Sequence, residues 1–167
     1  MMEDEVGLPP LFASVLTEHF GPLVSNAEVR MREVRATVTL TGLRDLLQFV
    51  RDEPSIELDY PACLTAIDDG NNLSLLYRLV SIRHGHTLLL QCPLERANPE
   101  APTATDLWPG LNWHEREVFD MFGVVFIGHP NLKRILLPDE WEGFPFRKDY
   151  VSVPSGNPLE GPQPMDT

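Results

Sequence analysis

The order of hydrophobic periodicities predicts an α+β domain, with helices packed against a small, mainly antiparallel or mixed sheet. Three observations carry that expectation. Apolar residues recur at helical spacing over 8–20 and again over 42–50, and four other runs alternate with the period of two that strands require. Asp69-Gly70-Asn71-Asn72 and His84-Gly85 supply hairpin turns between the last three of those runs. A length of 167 residues with a hydrophobic fraction of 43% suits one core of ordinary size.

Each element has a local reason. In 8–20, Leu11, Phe12, Val15, Leu16, His19 and Phe20 share one face, and Gly21-Pro22 ends the helix. Arg35 to Leu40 is rich in Val and Thr and reads as a strand that starts near Glu28. The pattern from Gly42 to Val50 is helical again and stops before Pro54. Strands are expected over about 58–67, 73–82 and 86–92. In the second of these, Leu73, Leu75, Tyr77 and Leu79 alternate with Ser74, Arg78 and Ser81, so one side of the sheet should be wet or partner-facing. Residues 93–109 show no periodicity and read as a connection. A densely charged amphipathic helix follows over 112–122 and ends at Gly123.

The expected organisation is a core over 1–126, an extended ribbon over 127–150 and a mobile tail over 151–167 with four prolines and two glycines. The ribbon lacks the regularity to fold on itself and would expose Trp141, Phe144, Phe146 and Tyr150, so a covering surface on another chain is expected. Gly143 and Pro145 deny it a helix, leaving a strap whose aromatic groups and Arg147 fit pockets elsewhere.

Composition removes several functions. The net charge of −12 argues against nucleic acid, whose phosphates need clustered Lys and Arg. Residues 1–111 carry 16 acidic and 8 basic side chains and 112–150 carry 7 and 5, so the ribbon is the least acidic part of the chain. Cys63 and Cys92 are too few for an iron–sulfur cluster and read as free thiols. The acidic start MMEDEVG does not resemble a secretory signal, and no apolar run reaches membrane-spanning length. A glycine-rich dinucleotide turn is absent. His114-Glu115 opens like a zinc-peptidase helix, but Val118 occupies the position of the second His. Glu115 and Glu117 diverge by roughly 200° on a helix and cannot share a substrate. Arg116 and Asp120 are one turn apart and can pair. The surrounding Trp113, Val118, Phe119, Met121 and Phe122 imply that some of these charges lie between apolar surfaces, most naturally at an interface. His129 either caps its own turn or serves as a titrating, ligand-facing group.

The run from Trp113 to Tyr150 resembles the signature region of the thirty-kilodalton-type subunit (the C subunit) of proton-pumping NADH:quinone oxidoreductase, respiratory complex I. The similarity rests on Glu115-Arg116-Glu117, Asp120-Met121-Phe122-Gly123, Gly128-His129-Pro130, Arg134-Ile135-Leu136, Pro138, Trp141, Gly143 and Arg147-Lys148-Asp149-Tyr150 at fixed spacings. The resemblance implies a cofactor-free structural subunit in the peripheral arm, not itself catalytic, within an enzyme that moves electrons from NADH through FMN and iron–sulfur clusters to quinone. Its implied partners are the forty-nine-kilodalton-type subunit (the D subunit) and neighbouring iron–sulfur subunits. Its implied place is the cytoplasmic side of the cell membrane, held there through the complex. Glu115, Arg116, Glu117, Asp120, His129, Pro130, Lys133, Arg134, Trp141, Arg147, Lys148, Asp149 and Tyr150 become the expected interface and signature residues. Similar domains occur in ferredoxin-driven oxidoreductases and membrane-bound hydrogenases, so the electron donor is not encoded here. An adaptor or assembly protein using the same strap is the reading from another class. A free-standing enzyme would need a pocket holding at least two of His114, Glu115 and Glu117.

Overall fold

A computed structural model describes residues 8–151, with side chains from Leu11 onward; the expected tail lies almost wholly outside the described residues. Helix α1 (Leu8–Phe20) buries Phe12 and Leu16, while Leu11 faces solvent and His19 stacks on Phe49 at 4.5 Å. A single 3-10 turn at Gly21–Leu23 leads into strands β1 (Val24–Arg30) and β2 (Glu33–Val38). The expected single strand from Glu28 to Leu40 is therefore a hairpin. Met31 in the left-handed region closes its turn, and neither Gly nor Asn marked that turn in the sequence. Helix α2 (Leu40–Asp52) presents Leu43, Leu46, Leu47 and Val50 to the core.

Strands β3 (Tyr60–Asp68), β4 (Leu73–Val80) and β5 (Thr87–Leu94) follow the predicted runs. With the first hairpin they form one sheet in the order β1-β2-β5-β4-β3, whose only parallel contact is between β2 and β5. The sheet is thus mixed. Cross-strand register places Leu64, Ala66, Leu73, Leu75, Tyr77, Leu79, Leu88, Leu90, Val34 and Ala36 on one face, all buried in the core shared with the helices. The opposite face carries Cys63, Thr65, Ile67, Leu76, Arg78, Val80, Leu89 and Arg35, none of them buried.

The connection after β5 is more ordered than its lack of periodicity suggested. Short strand β6 (Glu100–Pro102) pairs in parallel with β7 (Val125–Ile127), and the charged helix α3 (Leu111–Phe122) lies between them. Three-residue strands leave almost no alternation to detect. Trp108 donates its indole N–H to the Leu58 carbonyl at 3.1 Å, and Arg44 grips Asp106 at 2.8 and 2.6 Å, so this connection is tied to both α2 and the segment before β3. Cys63 and Cys92 are both free thiols, the first exposed and the second buried. Among the described residues no helix is long and apolar enough to cross a membrane.

Candidate functional site: the charged helix and the ribbon that wraps it

Two carboxylates of α3 are fully buried, and they play opposite electrostatic parts. Glu115 accepts hydrogen bonds from Thr103 Oγ1 at 2.6 Å and from the Ala104 backbone N–H at 2.7 Å. Burial outweighs those donors and pushes its carboxyl up to about 7. Asp120 accepts from Arg134 at 2.8 Å and from the successive backbone N–H groups of Ile135, Leu136 and Leu137 at 2.9, 2.7 and 3.1 Å. Burial alone would raise it too, but the guanidinium and the three amides prevail and hold it below the usual carboxylate range.

The expected Arg116–Asp120 pair does not form. Asp120 turns to Arg134, and Arg116 donates instead to the carbonyls of Lys133 and Arg134 at 3.0 and 3.3 Å, with its guanidinium over the Trp113 ring. A carboxylate that meets three converging amides and a fixed guanidinium has more to gain there than from one neighbour along the helix. The ribbon therefore does fold onto its own domain, contrary to the sequence expectation. The trapped charges of α3 lie within one chain, between its helix and its own ribbon.

A second clamp fixes the far end. Asp68, at the end of β3, accepts both branches of Arg96 at 3.2 and 2.9 Å, the Gly70 N–H and the Lys148 N–H, each at 2.9 Å. The Arg96 guanidinium above all drives its carboxyl well below the ordinary value. Arg96 also reaches Asp149 at 3.0 Å, and Arg147 donates to the carbonyls of Phe122 at 2.6 Å and Arg96 at 2.9 Å. Phe144 sits between Arg134 and Arg147, whose guanidiniums lie 5.5 and 5.7 Å from its ring centre. Its ring covers Gly123, which caps α3 at φ +74°; a Cβ there would lie within 2.7 Å of three ring carbons. Gly143, at φ +81°, gives Tyr150 the same close seat.

The remaining expected site residues fall into two groups. His129 closes its own turn, accepting the Asn131 N–H at 3.0 Å, and its other ring nitrogen lies 3.4 Å from the Asn112 carbonyl. Trp141 is half-buried: its carbonyl accepts from Arg134, and its indole N–H is shut from solvent without an acceptor among the described residues. Glu117, Pro130, Lys133 and Lys148 have exposed side chains. What protrudes from helix and ribbon is Trp113 at 63% exposure, Leu136 at 60% and Phe146 at 57%. Sequence reasoning missed Asp68, Arg96 and Thr103. Asp68 fell between the expected strand over 58–67 and the turn that begins at Asp69, and the other two sat in a connection without periodicity.

An open cleft of about 710 Å³ lies beside the helix, lined by Arg44, Thr103, Asp106, Asn112, Ile127 and Pro130 among others. None of His114, Glu115 and Glu117 lines this cleft. Among the described residues no three His, Cys, Asp or Glu side chains cluster as metal ligands.

Comparison with known proteins agrees with the signature. The family model described as "Respiratory-chain NADH dehydrogenase, 30 Kd subunit" matches residues 36–155. The chain belongs to this family. A relative from Chlorobium phaeobacteroides, named as the C subunit of NADH-quinone oxidoreductase, is 42% identical over 143 residues, covering 81% of this chain and 84% of its own. Another of that name from Roseiflexus castenholzii is 44% identical over 115 residues, covering 67% of this chain and 64% of its own. A third, from Chloroherpeton thalassium, is 36% identical over 139 residues, so the chain spans only 58% of that relative's length. Two solved structures share the fold. One is a chain of the membrane-bound sulfane sulfur reductase, an archaeal respiratory membrane complex, at TM-score 0.73 and 23% identity, covering 86% of this chain and 85% of that one. The other is a trypsin-resistant fragment of Nqo5, at TM-score 0.62 and 21% identity, covering 74% and 99%.

Within this member of the respiratory family, Glu115 offers a test of the buried site. Its carboxyl titrates near 7 when folded against 4.5 ordinarily, so its contribution to stability is full below pH 4.5 and is lost as pH rises through 7. Glu115→Gln keeps the shape and the bond from the Ala104 N–H, turns its amide NH2 to donate to the Thr103 hydroxyl, and cannot ionise. Relative to that variant, the unaltered protein is expected to lose about 3 kcal/mol between pH 4.5 and 8. Urea titrations at a series of pH values check this, and parallel stability curves for the two proteins would contradict it.

Proposed function

We propose that this chain is a structural subunit of the peripheral arm of proton-translocating NADH:quinone oxidoreductase, docked through the outer surface of its ribbon on the forty-nine-kilodalton-type subunit and neighbouring iron–sulfur subunits. It holds no cofactor of its own. FMN, the iron–sulfur clusters, NADH and quinone are handled by other subunits, on the cytoplasmic side of the membrane to which the complex is anchored. The observation that carries this reading is the family match, which spans the whole helix–ribbon unit from Leu111 to Tyr150.

The geometry supports a positioning role rather than a chemical one. The ion pairs are spent internally: Asp120 on Arg134, Asp68 on Arg96, Arg147 on carbonyls. They set the path of the ribbon, and the path decides which side chains face outward. Leu136, Phe146 and Trp113 are left exposed on ribbon and helix, large apolar side chains of the kind that anchor a partner. In the cleft beside α3 the charged groups Arg44 and Asp106 are spent on each other.

Exposed anchors separate docking from folding. Leu136→Asp combined with Phe146→Asp is expected to leave the melting temperature of the isolated domain nearly unchanged. The amount of chain recovered in assembled oxidoreductase is expected to fall at least about tenfold, as for loss of two interface anchors. Arg147 and Trp141 serve this test poorly, because both are engaged inside the domain. Full assembly with both anchors changed would sink the docking proposal.

A further inference from the structure

The three helices pack on one face of the five-stranded sheet and leave the other face bare. We propose that this bare face is a second docking surface, occupied by an amphipathic, acid-bearing helix of a different subunit. The inference rests on the reading that the chain works inside an assembly, and it concerns a surface on the opposite side of the sheet from α3 and its ribbon.

A sheet face meant for water alternates polar outward residues with buried ones. Here the outward positions of β3 are Cys63, Thr65 and Ile67, with Ile67 47% exposed, and on β4 and β5 Leu76, Val80 and Leu89 interrupt the polar Ser74, Arg78, Thr87 and Gln91. Between Tyr60 and Ile67, β3 has no charged residue at all. Both edge strands are irregular, β1 between Ser25 and Glu28 and β3 between Pro61 and Cys63, but only β1 carries exposed charge, with Glu28 and Arg30 as an ion pair at 3.3 Å. Charge guards one side of the sheet. The apolar band occupies the side that is left unguarded.

Its dimensions fit one helix. The band crosses three adjacent strands, two spacings of about 4.8 Å, which gives a strip about 10 Å wide. A helix with its side chains measures about 10–12 Å across. Charge selects the kind of helix. Arg35, Leu89 and Arg78 form one row across β2, β5 and β4, and both guanidiniums share the single carboxylate of Glu33, at 2.7 and 3.6 Å. With Glu28 opposite Arg35 and paired with Arg30, three cations meet two anions, which leaves a positive surplus in the row that crosses the band, on a chain whose net charge is −12. A carboxylate from outside completes that row. A second copy of this chain does not: paired about a two-fold axis it would set Arg35 and Arg78 against their own kind, between two strongly acidic bodies.

Cys63 lies in the band opposite Arg78 and is a natural probe, with buried Cys92 as the internal reference. Maleimide labelling, read peptide by peptide by mass spectrometry, is compared between the isolated chain and the oxidoreductase purified from membranes. Cys63 is expected to react readily in the isolated chain and at least about tenfold more slowly in the complex, since buried thiols are inert. A bifunctional thiol-to-amine reagent placed on Cys63 in the isolated chain before reconstitution is expected to join it to an acidic helix of another subunit. Equal labelling in both samples would overturn the proposal, as would protection already complete in the isolated chain, or a cross-link to a second copy. If membranes yield the chain alone, the assembly reading itself has failed, a result distinct from a complex in which Cys63 stays reactive.

Discussion

Replacing Asp120 by Ala is expected to lower the stability of the domain by about 3–5 kcal/mol, the range for removing one partner of a buried ion pair. The carboxylate is fully buried, so its loss leaves the Arg134 guanidinium with carbonyl partners but no counter-charge and strands three backbone N–H groups at once. No solvent reaches the site to replace it. Asp120→Asn keeps the volume but offers one acceptor oxygen where two served, and it turns an amide NH2 toward donors; a smaller loss is expected. The pH dependence follows from the depressed carboxyl. Its stabilisation is complete above pH 3.8 and disappears as pH falls through the folded value, so the Ala variant should lack part of the acid limb seen in the unaltered protein. Arg134→Ala combined with Asp120→Ala should cost less than the sum of the two single changes, because the second removal relieves the charge stranded by the first. Urea unfolding with an unchanged slope checks all three variants. An Asp120→Ala loss below about 1 kcal/mol, the value of an exposed pair, would contradict the buried clamp.

Gly123→Ala is expected to cost about 2–5 kcal/mol, from two separable causes. The left-handed backbone at φ +74° disfavours any side chain by roughly 1–2 kcal/mol. The new methyl would also strike the Phe144 ring, and overpacking of that kind costs typically about 1–3 kcal/mol. Phe144→Leu in the Gly123→Ala background should recover the steric part and leave the backbone part. The same change in the parent should destabilise, because Phe144 is held by both Arg134 and Arg147. A neutral Gly123→Ala, read by thermal melting, would mean that the ribbon does not lie over the end of α3.

These two sites also mark the border of what the sequence made legible. Elements with many turns of periodicity were readable: α1 and α2 from their apolar spacing, β3 to β5 from alternation and from the Asp69-Gly70-Asn71-Asn72 and His84-Gly85 turns. The hairpin of β1 and β2 was not, because its turn uses Met31 rather than Gly or Asn. Strands β6 and β7 were too short to show a period. The family signature was legible in full, yet the partners of its charges were not. Arg116 and Asp120 stand one turn apart and looked like a pair; tertiary structure gave Asp120 a better set of donors 14 to 17 residues away. The ribbon looked unable to fold on itself because its hydrogen bonds run to side-chain carboxylates of Asp68 and Asp120 and to helix-end carbonyls, contacts that leave no periodic trace. Open sheet face and exposed anchors became visible only once register and burial fixed which side chains point outward.

The central claim is that this chain works as a structural part of a respiratory oxidoreductase. Affinity purification of the tagged chain from its own membranes tests it most directly, with subunits identified by mass spectrometry and the eluate assayed for iron, FMN and quinone reduction by NADH. A multi-subunit, iron-rich assembly that oxidises NADH and contains a forty-nine-kilodalton-type subunit in equal amount is expected. Recovery of the chain alone, or in a stable complex without iron, would contradict it and favour an adaptor built on the same fold.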